Sequence, residues 1–405
     1  MEIIIEKMKD KIIKYCFFIG YMIFEIIYAL ELIFPKLDGI IPDGLIGSIL
    51  VLCFSVAFLL RIENFNKYIF MVFIIIIFEF SESAMVYGSK DFIVKTLKSE
   101  ISIIIFVMML FFSTELDPKN RLQEFRIISY FLICINFIKL LHGGYFDENL
   151  NFSYMGFGYG TVVYWTTITL FAFLENKKID FFISFIVGFL MILLGNRGVV
   201  LIEITVVSML IIYYYKIYNK ILFFVSLVMV AFILYIYNNE ISMFFFNIAE
   251  ILGFPSYVFD RAINNELFSD SGRYYIWEQI WDMILKNPVL GYGVGFDRLI
   301  VGTHTHNLIL EIFLNYGIIR GVLFCIALIW MIFDLLVKNQ NNQWRDLFFV
   351  YFIPSLIMLM FSNSIYYSRD FWIAISIFCA YKNSYRKSYV ANNSKNKIIF
   401  DNIIK

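Results

Sequence analysis

The chain has 405 residues, of which 60% are hydrophobic and 16% charged, against roughly 25% charged in a typical soluble domain. Mean hydropathy is +0.76, and 33 basic residues balance 33 acidic ones. That excludes a soluble enzyme and a disordered chain, gives no basic field for nucleic acid, and points to a single all-α polytopic membrane domain over 1–405.

A bilayer core takes about 20 apolar residues as helix. Apolar runs at 15–34, 39–60, 68–87, 100–113, 127–141, 156–174, 180–195, 198–215, 220–237, 308–336, 347–361 and 370–381 predict about 12 transmembrane helices. The run 308–336 is too long for one plain span. A short membrane-dipping helix, broken near Gly317 or Gly321 and followed by a full span, accounts for its length. With the N-terminus placed inside, the inner segments carry 21 Lys and Arg and the short outer ones six. By the positive-inside rule both termini are cytoplasmic, and the long 238–305 loop between spans 9 and 10 is external. The basic N-terminus before a full-length span reads as an uncleaved signal anchor.

Long loops concentrate function. Within this one, 274–286 (YYIWEQIWDMILK) brings apolar residues to helical spacing at Ile276, Trp277, Ile280, Trp281, Ile284 and Leu285. Ser271 is placed to cap its start, and Lys286 precedes Asn287–Pro288 at its end. Two tryptophans suit a membrane interface; a helix lidding the bundle is the alternative. Gly291, Gly293 and Gly295 alternate through GYGVG, which permits tight turns or a flexible, ligand-hugging loop. No strand precedes it and no Walker lysine follows, so a nucleotide loop is a poor fit.

The five cysteines form no CxxC and sit in or beside apolar runs, where they serve as small apolar filler. The three histidines, His142, His304 and His306, all fall on the predicted outer side. His306 opens H-N-L-I-L-E, where its imidazole is placed to accept a proton near neutral pH; a surface loop histidine is the plainer reading. His304 and His306 as a zinc pair lack a third ligand at matching spacing. Arg197 stands in GNRG between two apolar runs, and Arg273 in SGR before the tryptophan helix. Snorkelling and a solvated loop charge are the plain readings. A guanidinium, however, presents a planar fork to phosphate oxygens and stays charged when partly dehydrated. Two arginines and a histidine within membrane walls suit a lipid-linked pyrophosphate. Arg298 and Arg369 would extend a basic rim, while Lys139, Arg320, Glu25, Glu31 and Glu79 lie in or near apolar runs and are left outside the site.

Three pieces, in order, resemble the O-antigen ligase/polymerase family. They are Arg197 in GNRG, the stretch SGRYYIWEQIWDMILKNPVLGYGVGF, and HNLILEIFLNYGIIRGVL. The resemblance is sharpest over 195–330. It implies transfer of glycan from undecaprenyl pyrophosphate at the outer face of the bacterial cytoplasmic membrane. Arg197 and Arg273 would hold the pyrophosphate, and His306 would be the general base for an inverting displacement. His304 is the competing base. His306 is preferred because Asn307, Leu310 and Gly317 keep the family spacing. The resemblance implies no cofactor, no metal and no nucleotide sugar. The implied partners are the lipid-linked oligosaccharide, membrane lipid and a chain-length regulator protein, with no nucleic acid. The expected activity is that of a polysaccharide polymerase of O-antigen or capsule type, with a ligase of the same chemistry as the alternative. A flippase or transporter is the third reading, but the paired inverted repeats it would carry are not evident.

Overall fold

The computed structural model describes residues 2–33, 43–87, 100–114, 117–141, 154–194, 197–214, 238–252, 259, 263–264, 273–338 and 342–403. The predicted span 220–237, most of the acidic and basic residues of the external loop before Arg273, His142 and the Ser271 cap lie outside the described residues.

Among the described residues all regular structure is helical. In chain order the α-helices are α1 (Glu2–Ile33), α2 (Asp43–Leu59), α3 (Lys67–Tyr87), α4 (Glu100–Thr114), α5 (Pro118–Leu141), α6 (Tyr154–Glu175), α7 (Lys178–Leu193), α8 (Arg197–Tyr214), α9 (Asn238–Ile251), α10 (Arg273–Lys286), α11 (Phe296–Val301), α12 (Leu308–Ile332), α13 (Asn342–Phe361) and α14 (Arg369–Ile403). Among the described residues three helical stretches are long and apolar enough to cross a membrane: Gly156–Glu175, Leu308–Lys338 and Gln343–Phe361. The last is the hub, packing against α5, α6, α8 and α14. Phe348, Phe349, Val350, Tyr351 and Phe352 are all buried there, which leaves no lipid-facing side over that stretch.

The periphery is the reverse. Ile319, Leu323, Ile326, Trp330 and Phe333 recur at three- and four-residue steps along and just beyond α12, and all are exposed. So are Phe70, Met71, Ile74, Ile75, Ile77 and Phe78 on α3. Soluble monomers rarely expose contiguous apolar patches beyond a few hundred Å². Faces like these belong against lipid, and the protein is an all-α polytopic membrane protein.

Several charges inside the bundle are paired, which relieves the cost of holding them where water is scarce. Lys139 bonds Glu25, and Arg320 reaches Glu79 at 3.4 Å. The intramembrane acids set aside in the sequence thus include two that act as counter-ions.

The long run after 308 breaks at Gly317, whose backbone (φ 72°, ψ 171°) is not helical. Gly321, the other candidate, remains inside the helix. The break frees backbone groups, and the glycine loop satisfies them. Tyr292 N donates to Leu314 O at 2.8 Å, Gly293 N to Asn315 O at 2.9 Å, and Ile318 N to Pro288 O at 2.7 Å. Gly291 lets one backbone lie against another, and Gly293 leaves room for Ser83 of α3. A Cβ on Gly291 would sit 2.4 Å from Gly317 N, at a positive φ that side chains resist. Gly291→Ala is expected to cost about 2–4 kcal/mol from overpacking and left-handed strain together. Thermal unfolding in detergent should register it as a clear loss of stability, and wild-type melting would show that the junction yields easily.

Candidate functional site

The site forms where α10, α11, the start of α12 and the turn after α13 meet. The amphipathic helix α10 buries Ile280 and Ile284 against Leu314 of α12. Each contributes about 1.5–3 kcal/mol if fully withdrawn from water. Trp281 and Leu285 stay exposed on the other side. Trp277 faces inward, and its indole N–H donates to Thr305 O at 3.0 Å.

Thr305 is held from a second direction. Asp297 on α11 is buried, and its Oδ2 accepts from Thr305 N at 3.0 Å and from Thr305 Oγ1 at 3.2 Å. Its Oδ1 accepts from Arg298 N at 3.0 Å. A buried carboxylate with three hydrogen bonds is a firm anchor, because losing its partners would leave an unpaired charge. Asn307 caps α12, its Oδ1 accepting from Ile309 N at 3.0 Å and Leu310 N at 3.2 Å. The H-T-H-N segment is thus fixed at both ends, and His306 between them has a left-handed backbone (φ 53°).

That geometry puts the two imidazoles together, with ring centroids 3.9 Å apart. His304 Nε2 lies 3.0 Å from Ser362 O. A carbonyl only accepts, so His304 carries its proton on Nε2. The His306 ring is pushed down to about 4, mainly by burial, then by His304 and by the Arg273 guanidinium; an interaction with the Ser362 backbone opposes this. His306 is therefore neutral at physiological pH, as a proton acceptor must be. Its Nδ1 is buried without a hydrogen-bond partner among the described residues.

Of the residues singled out in the sequence, the structure brings His304 and His306 together, and the Arg273 charge acts on the His306 ring. Arg273 is the first residue of α10. Asn307 is committed to its cap, and Arg298 stacks on Tyr367 at 4.2 Å while its Nη1 donates to Tyr367 Oη at 3.1 Å. Arg369 bonds Asp370 at 3.3 Å and lies over the Tyr21 ring, so it faces the inner bundle through α1. Arg197 opens α8, and its side chain lies outside the described residues, as do Gly195 and Asn196. Among the described residues no group of three or more His, Cys, Asp or Glu side chains is placed to hold a metal ion.

Four contributors escaped the sequence reading: Trp277 as a donor, Asp297, Thr305 and Ser362. Asp297 and Thr305 are eight residues apart, and only the turn between them brings them together. Ser362 lies 58 residues from His304, with no local signal to mark it.

Comparison with known proteins covers this same region. The O-antigen ligase family model matches residues 182–325, a stretch that holds Arg197, Arg273, His304, His306 and Gly317. A Rickettsia conorii protein named as a polysaccharide ligase is 27% identical over 126 residues, covering 27% of this chain and 30% of that protein. The matched stretch thus spans under a third of that relative's length. No solved structure matches the chain. The three motifs lie in order inside the matched region, so that over 182–325 the chain is similar to the O-antigen ligase family.

Proposed function

We propose that the protein is a bacterial polysaccharide polymerase that transfers a growing glycan from undecaprenyl pyrophosphate onto the next lipid-linked repeat unit. Its place is the bacterial cytoplasmic membrane, with both termini inside and the site on the outer face. There the 238–305 loop forms the external part of a single membrane domain. The observation that carries the reading is the His304–His306 pair, ring centroids 3.9 Å apart, with His306 Nδ1 buried and without a partner among the described residues and the Arg273 charge acting on that ring.

The chemistry follows from those groups. His306 Nδ1 takes the proton of an acceptor sugar hydroxyl as its oxygen attacks the donor's anomeric carbon. The bond from that carbon to the pyrophosphate oxygen breaks, its electron pair leaves with the pyrophosphate, and the anomeric configuration inverts. Arg273, with Arg197, holds the pyrophosphate and stabilises the charge it gains. The activated bond is in the lipid, so no nucleotide sugar is needed, and the guanidinium charge takes the place of a metal. Transfer should therefore persist in EDTA; a collapse restored by a divalent ion would overturn the metal-free reading.

The test is purified protein in lipid with one undecaprenyl-pyrophosphate-linked repeat unit, products resolved on a gel. A ladder establishes polymerisation. Transfer only to a separate lipid core, wall polymer or protein acceptor establishes a ligase, the reading favoured by the ligase names of the family model and the relative. Flipping without transfer would move the protein out of the enzyme class. A chain-length regulator protein is the partner expected of a polymerase, and ladder length with and without it is its measure.

A further inference from the structure

The end of α12 far from the histidines carries a second, separate cluster. Beyond Ile332 the chain continues as a π-helix over Phe333–Lys338. Trp330 of α12 meets Phe378 of α14 edge-on, ring centroids 5.1 Å apart. Four residues further along both helices, Lys382 Nζ pairs with Asp334 Oδ2 at 2.5 Å. The same ammonium lies 4.6 Å from the centre of the Trp330 ring. Both members advance by four together, so α12 and α14 run in the same direction here and in register. The next step of four reaches Lys338 and Arg386. Both are exposed, and neither has an ion-pair partner among the described residues. Trp330, Phe333, Val337 and Tyr385 stand exposed around them.

We propose that this edge binds an anionic phospholipid. Its headgroup phosphate is held between Lys338 and Arg386, and an acyl chain lies along the exposed stripe of α12 that ends there. Asp334 neutralises Lys382, so the next pair in the register is left with two positive charges to be met from outside the chain. A guanidinium forks onto two phosphate oxygens, and an ammonium adds rotatable donors beside it. Basic sites between membrane helices take anionic headgroups, and tryptophan favours headgroup depth. The apolar partner is on the same line: Ile319, Leu323, Ile326, Trp330 and Phe333 are all exposed and lead up to the two cations. A soluble anion would meet the charges and leave that stripe unused. A lipid uses both, and it braces one end of the helix whose other end follows the histidine segment. This inference stands apart from the glycosyl-transfer reading.

The test titrates the full-length protein in neutral detergent with phosphatidylglycerol or phosphatidylcholine, and native mass spectrometry counts the bound lipid. A basic residue near an anionic headgroup is worth about fivefold in affinity, so two give about 25-fold. The wild type should prefer phosphatidylglycerol by about that factor. The double variant Lys338→Gln/Arg386→Gln should lose the preference and bind phosphatidylcholine as before. Exchanging the two cations, Lys338→Arg with Arg386→Lys, should keep it. Lys7→Gln/Lys11→Gln removes the same charge from α1 and should leave the preference within about twofold. Melting in the same detergent checks the fold. If the double variant melts early, Lys338→Gln and Arg386→Gln taken singly should each lose about fivefold. An unchanged preference in the glutamine variants would overturn the proposal. So would an equal loss in the α1 variant, which would mean a diffuse field and no site. Displacement of the lipid by inorganic phosphate at equal concentration would show a soluble-anion site and overturn the lipid as occupant.

Discussion

His306→Ala is expected to reduce transfer by about 100-fold to 10,000-fold, the usual contribution of a positioned general base. His304→Ala should cost far less, because His304 Nε2 is already turned to the Ser362 carbonyl and offers no base on that side. The pair of variants thus decides which imidazole reacts. The pH dependence supplies a second check. Burial first, then His304 and Arg273, push the His306 ring down to about 4. The neutral form is the active one, so activity should fall only as pH drops through that value and should be level from about pH 5 to 8. A reactive histidine of ordinary pKa would instead lose activity below about 6.5. The measurement is the gel-resolved transfer rate in lipid across that range. A titration near 6.5, or full activity in His306→Ala, would remove His306 from the mechanism.

Arg273→Lys should lower transfer by about 100-fold to 1,000-fold, on the scale of losing one donor to developing charge. The charge is retained, but the two-pronged geometry that meets two phosphate oxygens is not. Arg273 begins α10, so the positive end of that helix reinforces it, and a lysine would keep that part. Two measurements separate the outcomes. If kcat falls while donor KM holds, the guanidinium acts on the leaving group; if KM alone rises, it only binds. Wild-type rates would argue against any clamp at this position.

Much of this protein is legible because membrane helices are written in long apolar runs. The break at Gly317 follows from excess length plus a glycine. The helix at Arg273–Lys286 follows from apolar spacing, with Ile280 and Ile284 taking the inward places. Side-chain identity was less forthcoming about partners. The glycines of GYGVG announce close backbone approach, yet nothing local tells whether a ligand or another backbone approaches; the answer lies at Leu314 and Asn315. Asn307 reads in the sequence as a motif residue of the site, and its amide oxygen is taken by the cap of α12. Arg369 looked like part of an outer rim, and it lies instead over Tyr21 of α1. Glu311 stands inside the histidine motif, but its partners Ser364 and Ile365 are brought to it only by the fold. Periodicity reports faces; it does not report who stands opposite.

The backbone ladder between 288–293 and 314–318 bears on motion. Three inter-segment hydrogen bonds and the packing of Ile280 and Ile284 on Leu314 join α10 to the broken part of α12. Each such bond is worth about 1 kcal/mol net, and more if opening leaves its groups without water. Helix α10 and the outer arm of α12 therefore travel as one body rather than as lid and floor. Amide hydrogens of Tyr292, Gly293 and Ile318 should exchange slowly and at similar rates. Any motion that opens the site is therefore expected at another hinge, and this stitched junction is expected to move as a unit.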